Sequence, residues 1–466
     1  MTSRGRGRLA LPPWPVRGRI VTVSCFLRRR GLPRFTCMVR RRRVASALLV
    51  GALALGVATC AAPGTGTALR SDVAREPVAV VDALAVPDIV DATTALGVAL
   101  LTRPGAEENA LVSPASVAVV LSMLGEGAGA STAQELDALL GAGGPDRTRA
   151  VNAMLADLAT FDGDPADASR AELPDQVLLH IANNVVIDTG REVKDTFLDA
   201  LSAGYGAGMR SADLSGDEGR AALDAWVSEH TGGRVEHSAI EPSEDLVLVL
   251  QNAVLLAARW AEPFSPALTT PEPFTVGGGD RVDVDTMHRQ GMMAYSADGP
   301  WQAVRLPYAD GFALDVVLPH AGRLPGSLTA EEWDALSAAL GSYETTAEVA
   351  LALPTVEIAT STELVEALQD AGLHALFSPG TADLRGIAEP AEGPLFVSTV
   401  AHQATLAIDE EGTVAAAVTE AGLAAGAAPE PTRPVQMTVD RPFAVRIVHV
   451  GTEWPIFMGV VNDPRG

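Results

Sequence analysis

The side chains that could act as nucleophiles, bases or metal ligands fall into no catalytic pattern in this 466-residue chain. There is no G-x-S-x-G turn. No S-x-x-K motif exists either, because the single lysine, Lys194, follows Arg191 at the relevant spacing. H-E-x-x-H is absent, no two histidines are four residues apart, and no glycine-rich loop ends in G-K-[ST]. The three cysteines, Cys25, Cys37 and Cys60, all precede residue 61, which removes disulfides, thiolate metal sites and a cysteine nucleophile from the body. What remains is the Cys60 thiol in Val57-Ala58-Thr59-Cys60. A second stretch, Ile408–Gly426, reads IDEEGTVAAAVTEAGLAAG. No metal or cofactor is expected.

That second stretch is small-residue-rich and free of Pro, Lys and Arg, with prolines at 429, 431 and 434 just beyond it. As an extended segment it puts Thr413, Ala415, Ala417, Thr419, Ala421 and Leu423 on one face. Val414, Ala416, Val418, Glu420, Gly422 and Ala424 fall on the other, with the only charge. Such a segment can lie exposed as a loop or enter a sheet, where an interior Pro would have cost a ladder donor. Its bland alternative is a flexible linker.

The elements that would position it follow from periodicity. Val86–Leu101 has helical apolar spacing, and Ser113-Pro114 reads as a helix start, with Ser as the cap. Residues 117–124 are so apolar that the helix they form should be buried, and another amphipathic helix begins at Ser131. His180–Ile187 reads as a buried strand and Leu246–Ala258 as a long apolar strand, and a helix is expected around Trp226. Met123, Met287 and Met458 are expected in the core, and His402 reads as a satisfied core histidine.

Charge divides the chain sharply. The first 60 residues hold 13 Arg and no acid, so the remainder carries 21 basic against 58 acidic residues. A body this acidic disfavours nucleic acid and anionic membrane as partners. Arg40–Arg43 followed by the uncharged run Val44–Val57 reads as an export signal beginning at Met38, too short to span a bilayer. Cys60 then stands as the lipidated residue of a bacterial-type lipobox, with Thr59 departing from the usual Gly or Ala. Cleavage after Ala58 or Ala62, releasing a secreted protein, is the alternative. The expected organisation is a leader over 1–60, a flexible tether over 61–80 and one domain over 81–466.

Several spaced motifs run through the body. They include Asn109-x-x-x-Ser113-Pro114-x-Ser116, Leu121-x-Met123-Leu124, Gly127-Ala-x-x-x-Thr132-x-x-Glu135-Leu136 and Ala182-Asn183. Further on come Trp226-Val227-x-x-x-Thr231-x-Gly233, Trp260-x-x-Pro263-Phe264 and Asp440-Arg441-Pro442-Phe443, then a terminus of Phe457-Met-Gly-Val-Val-Asn462. With Glu410-Glu411-Gly412-Thr413, the alanines Ala415, Ala416 and Ala417, and Thr419, this pattern resembles the serpin family over residues 86–464. Departures are Asp224 for a usual Asn, and Leu256 and Ala258 for a usual aromatic and Gly.

The resemblance implies an α+β serpin fold, with a large mostly antiparallel main sheet, additional sheets, eight or nine helices and an exposed reactive-centre loop. It also implies a monomeric, suicide-type inhibitor that forms covalent complexes with serine proteases and no enzymatic activity of its own. The loop is bait: the protease attacks one bond, and the freed segment inserts into the main sheet before the acyl-enzyme is hydrolysed. Roughly 14 residues gaining ladder bonds at roughly 1 kcal/mol each supply on the order of 10 kcal/mol. The family's hinge spacing puts the reactive bond at Gly426–Ala427, while counting back from Pro442-Phe443 puts it up to five residues later, near Pro431. The hinge count is preferred because Pro beside a cleaved bond is unfavourable. Small apolar neighbours there suit an elastase-like or subtilisin-like protease. Ser113, Ser116, Asn252 and His402 match a polar cluster under the sheet-opening region, and Trp260 a residue near loop entry. A non-inhibitory binding protein and an inhibitor of papain-like cysteine proteases are the alternatives.

Overall fold

Leu248–Arg259 is a twelve-residue strand with no charge before its final Arg259, and every residue but that arginine is buried. A strand so continuously apolar must be covered on both faces, and the fold is arranged around it. A computed structural model describes residues 66–102, 108–169, 173–389, 393–413 and 434–466, all within one compact unit, Cys60–Gly466.

In chain order the first elements are β1 (Thr67–Leu69), α1 (Val86–Leu101), β2 (Ala110–Val112), α2 (Pro114–Gly125), α3 (Ala130–Leu140), α4 (Gly144–Leu158), β3 (Leu178–Asp188), α5 (Asp195–Tyr205), β4 (Met209–Ala212), α6 (Asp217–His230) and β5 (Leu248–Arg259). They are followed by β6 (Thr270–Thr275), β7 (Arg281–Gly299), β8 (Trp301–Pro307), β9 (Phe312–Pro319), α7 (Ala330–Leu340), β10 (Thr346–Pro354), β11 (Val356–Glu363), α8 (Val365–Asp370), β12 (Thr399–Ile408), β13 (Gly412–Thr413), β14 (Val435–Thr438), β15 (Phe443–His449) and β16 (Trp454–Val461).

The main sheet has seven strands in the order β1-β4-β3-β5-β13-β12-β11. Its pairings are antiparallel except β3–β4 and β5–β12. The remaining strands form a second sheet, ordered β14-β10-β7-β8-β9-β15-β16-β2, with β6 paired to β7. Inward-facing Leu250, Val254, Leu256, Ala404 and Leu406 join the large core with α2 and the second sheet. On the outward face, Val249 and Ala401 pack with Leu223 of α6, and Ala253 packs with Trp226 and Val227.

Helix positions follow the sequence closely. The α1 helix has the expected span. At α2 the Ser113 hydroxyl accepts the Ser116 N–H at 3.3 Å, with Pro114 in the first turn and Pro114–Leu124 all buried. The α3 helix ends on Gly141 at φ 77°, a left-handed stop that glycine tolerates without strain. Met123, Met287 and Met458 are buried as expected.

One expectation is corrected. The segment 61–80 is docked from residue 66 onward. The β1 strand pairs with β4, Glu76 N donates to Ala203 O at 3.3 Å, and Val78 N donates to the Asn152 side chain at 2.9 Å. The short uncharged run Thr67-Ala68-Leu69 can extend, and it covers the otherwise bare edge of β4.

Candidate functional site

The main sheet is zipped at one end and parted at the other. β5 and β12 pair directly from Val249↔Thr399 to Val254↔Ala404. Higher up, β13 lies between them: Gly412 and Thr413 face Arg259 and Ala258 on one side, and Thr413 faces Ile408 on the other. Gly412 is required there, because a Cβ would overlap the Ala258 carbonyl.

The parted end is built from an aromatic pair and three acids. Trp260 stacks on Tyr308 with ring centroids 4.5 Å apart, and its Nε1 donates to Asp409 O at 2.9 Å. Backbone bonds run from Trp260 N to Glu411 O at 2.9 Å and from Phe264 N to Glu410 O at 2.8 Å. Thr269 donates to the Glu410 carboxylate at 2.7 Å, and Arg259 approaches that of Glu411 at 3.4 Å. The Tyr308 hydroxyl meets that of Thr413, which is 1% exposed. Asp409 Oδ1 accepts Glu411 N and Gly412 N at 2.9 and 3.0 Å, folding the turn that aims Gly412 inward. Burial pushes the Asp409 carboxyl up to about 6, although those two donors work against the shift.

The zipped end is clasped from beneath. Ser113 N donates to His402 Nε2 at 2.9 Å, so the proton sits on Nδ1, which donates to Asn252 Oδ1 at 2.6 Å. Asn252 Nδ2 donates to Asn183 Oδ1 at 2.6 Å and to the Ser116 hydroxyl, which in turn donates to Asn183 Oδ1 at 3.3 Å. Four elements, α2, β3, β5 and β12, are thereby tied at one point. His402 has no exposed surface, and burial pushes its pKa down to about 4.

Of the residues singled out in the sequence, Ser113, Ser116, Asn252 and His402 come together at the zipped end. Glu410, Gly412, Thr413 and Trp260 meet at the parted end. Ala415, Ala416, Ala417, Thr419, the Gly426–Ala427 bond and Cys60 lie outside the described residues. Asn183 and Asp409 were not singled out as site residues. Asn183 stood inside a quoted motif, but nothing local in sequence announces the burial of Asp409. Asp224, unusual for its position, accepts Ser238 N at 2.8 Å. Among the described residues no group of three or more His, Cys, Asp or Glu could hold a metal ion, and no helix is long and apolar enough to cross a membrane.

The histidines give a signed pH dependence. His230 stacks on His180, with Nδ1 2.9 Å from His180 Nε2, and burial followed by that neighbour pushes it down to about 4. From pH 6.5 down to about 4 the unfolded chain takes up protons that folded His402 and His230 refuse, so stability falls with pH across that window. Asp409 opposes this: its folded form binds a proton first, which favours the fold as pH drops from about 6 to 3.8. His449, also pushed down by burial, adds to the loss and Asp334, pushed up by burial, to the opposition, so three histidines against two carboxylates give a net loss. His402→Gln is expected to flatten the dependence of the unfolding midpoint between pH 7 and 4.5, and an unchanged slope would refute this account.

The chain is an α+β protein whose main sheet is parted by Gly412 and Thr413, at the start of the connection between β12 and β14. A family model described as Serpin (serine protease inhibitor) matches residues 91–464. The chain belongs to the serpin family. It is 29% identical over 378 residues to a serine protease inhibitor of Cyanea capillata, covering 78% of this chain and 94% of that one. Iripin-2 of Ixodes ricinus is 31% identical over 371 residues, covering 77% and 88%. Among solved structures, the thermophilic serpin tengpin in its native state superposes with TM-score 0.72 at 22% identity, covering 86% of this chain and all of that one. Thyroxine-binding globulin in complex with thyroxine gives 0.67 at 23%, covering 82% and 99%. The serpin fold expected from the sequence is thus present, with eight α-helices among the described residues. Serpins are in general protease inhibitors, and some members are not inhibitory.

Proposed function

We propose that this protein is an irreversible inhibitor of serine endopeptidases with small apolar primary specificity, acting by acyl-enzyme formation and insertion of residues 414–424 into the main sheet. The observation that carries this is the register at β13. Thr413 pairs with Ala258 and Ile408. A strand continuing in that register puts Ala415 between Leu256 and Leu406, and Ala417 between Val254 and Ala404. Thr419 then falls between Asn252 and His402, and Ala421 between Leu250 and Val400. Every one of those partners faces the core or the polar cluster beneath it. The inward row is therefore Thr, Ala, Ala, Thr, Ala, Leu, small enough to enter, with Thr419 replacing the His402–Asn252 bond by its own hydroxyl. Glu420 stays on the outward row.

The lane runs from Ala258 to Leu248, so Leu423 reaches its far end. A protease acylated at Gly426 would be carried there, where distortion of its oxyanion hole halts deacylation. The leader supports export of a bacterial lipoprotein anchored through Cys60, ahead of a folded domain that already includes residues 66–80 and acts as a monomer.

Incubation with pancreatic elastase or subtilisin is expected to give a complex stable in denaturing gels, with release of the segment beginning at Ala427. Cleaved protein is expected to resist heat well beyond the intact form. A complex formed with trypsin alone would overturn the specificity. Papain trapping would favour the cross-class alternative. Cleavage with no gain in heat resistance would leave the non-inhibitory one.

A further inference from the structure

We propose that the cavity beside β3 is a binding site for an amphipathic organic carboxylate of the medium-chain fatty-acid class. Arg70 and Arg75 hold the carboxylate, and the chain lies on the apolar wall behind them. This goes beyond the inhibitor reading and is independent of it. The cavity exists because β4 is short. It covers β3 only over Val186–Asp188, so the edge of β3 from Leu179 to Asn184 has no strand beside it among the described residues. A cavity of about 450 Å³ opens along that edge, a volume within the range of small-molecule sites. Val119 of α2, Leu155 and Leu158 of α4, and Leu179 of β3 give it an apolar wall. The docked segment that begins at β1 forms another side, which carries Arg70 and Arg75.

The charge of the cavity runs against that of the rest of the molecule. Beyond residue 60 the chain has 21 basic and 58 acidic residues. Yet Arg70, Arg75 and Arg210 all line this one cavity. Among the described lining residues the only acid is Asp162, which accepts from His180 Nδ1 at 3.0 Å. Arg70 and Arg75 cross one turn, at Gly206-Ala207-Gly208. A Cβ on Gly208 would overlap the Arg70 stem, and one on Gly206 would press on Arg75 Cδ.

Arg75 is short of a counter-charge. Its guanidinium donates to a neutral carbonyl, Asn152 O, at 2.9 Å, and its buried Nε has no hydrogen-bond partner among the described residues. Burial, with no carboxylate beside it, pushes its pKa below the ordinary arginine value. Arg70 is exposed and completes the pair from the solvent side. An inorganic anion would satisfy the guanidiniums and leave the apolar wall wet. A neutral alcohol would cover the wall and leave Arg75 unpaired. A fatty carboxylate does both, with charge-assisted hydrogen bonds at its head and apolar surface buried along its chain.

The test is calorimetric titration of the intact protein with sodium octanoate, octan-1-ol and sodium acetate, together with a crystal grown in 8-bromooctanoate. Octanoate is expected to bind one per chain with Kd below about 300 µM, octanol at least about tenfold more weakly, and acetate without measurable heat. The anomalous signal of bromine is expected inside the cavity, beside Leu155 or Leu158. Arg75→Gln should weaken octanoate about tenfold or more, and Arg70→Gln about threefold, with octanol unchanged by either. Arg75→Lys should recover part of the loss. Leu155→Trp, which fills the recess, should abolish binding of both. Arg281→Gln removes an exposed arginine outside the cavity and should change nothing.

The proposal is overturned if octanoate and octanol bind alike, if acetate binds as tightly as octanoate, or if bromine lies elsewhere on the molecule. It is also overturned if neither glutamine variant weakens octanoate, or if Arg281→Gln weakens it as much as they do. Should Arg75→Gln or Leu155→Trp fail to fold, Arg70→Gln and the bromine position decide the matter, since the Arg70 side chain is exposed.

Discussion

Thr413→Arg is expected to turn the protein from a trap into a substrate. Thr413 is the first residue seated between β5 and β12, 1% exposed, with its hydroxyl on that of Tyr308. Its neighbours Ala258 and Ile408 both belong to the main core. An arginine there would carry an unpaired guanidinium into that interior, a cost of several kcal/mol. The intact protein escapes that cost by keeping residue 413 out of the sheet, so the penalty falls on entry of the strand and not on attack at the distant reactive bond. Stable complex should therefore form at least about 100-fold more slowly, corresponding to about 3 kcal/mol, while the loop is still cleaved. The cleaved variant should lack the added heat resistance, and Thr413→Ala should keep trapping. Undiminished complex formation by Thr413→Arg would show that insertion does not begin at this residue.

The second large effect concerns stability. Asp315 on β9 has no exposed surface and lies between Arg305 of β8 and Arg446 of β15, its registered neighbours on either side. Its oxygens accept from Arg305 at 2.7 and 3.0 Å and from Arg446 at 2.7 and 3.2 Å. Arg446 stacks over Trp333 at 4.9 Å, and Arg305 also pairs with Glu453 at 2.8 Å. Burial alone would raise this carboxyl, but the two guanidiniums outweigh it and hold it below the ordinary range. Asp315→Asn leaves Arg446 buried without its counter-charge and should cost about 3–5 kcal/mol. Urea unfolding of the intact protein would show it as a lower midpoint. Protein that remains folded should divide between complex and substrate as wild type does, since the second sheet does not open for the strand. A loss under about 1 kcal/mol would mean that the network is balanced by its own desolvation.

Much of the site was legible because its parts are local. Ser113 and Pro114 form a cap and first turn, a sequence-local arrangement. The burial of Val117–Leu124 and of Leu248–Ala258 follows from apolar runs too continuous for a one-sided element. The alternation in 413–423 assigns faces to any strand, whatever receives it. The docked course of residues 66–80 was less legible, since the bare edge of β4 that recruits β1 is made more than a hundred residues later. Asn183 carries no signal of its own beyond polarity in an apolar strand.

By itself the sequence determined the family, the element pattern and the small-residue row able to enter a sheet, because side-chain size, backbone restriction and periodicity are properties of neighbours in the chain. Tertiary structure alone decided the register Thr413↔Ala258 and the neutrality of His402. Hydrogen-bond satisfaction and the desolvation of charge depend on which distant strands and helices meet, and no local pattern encodes that meeting.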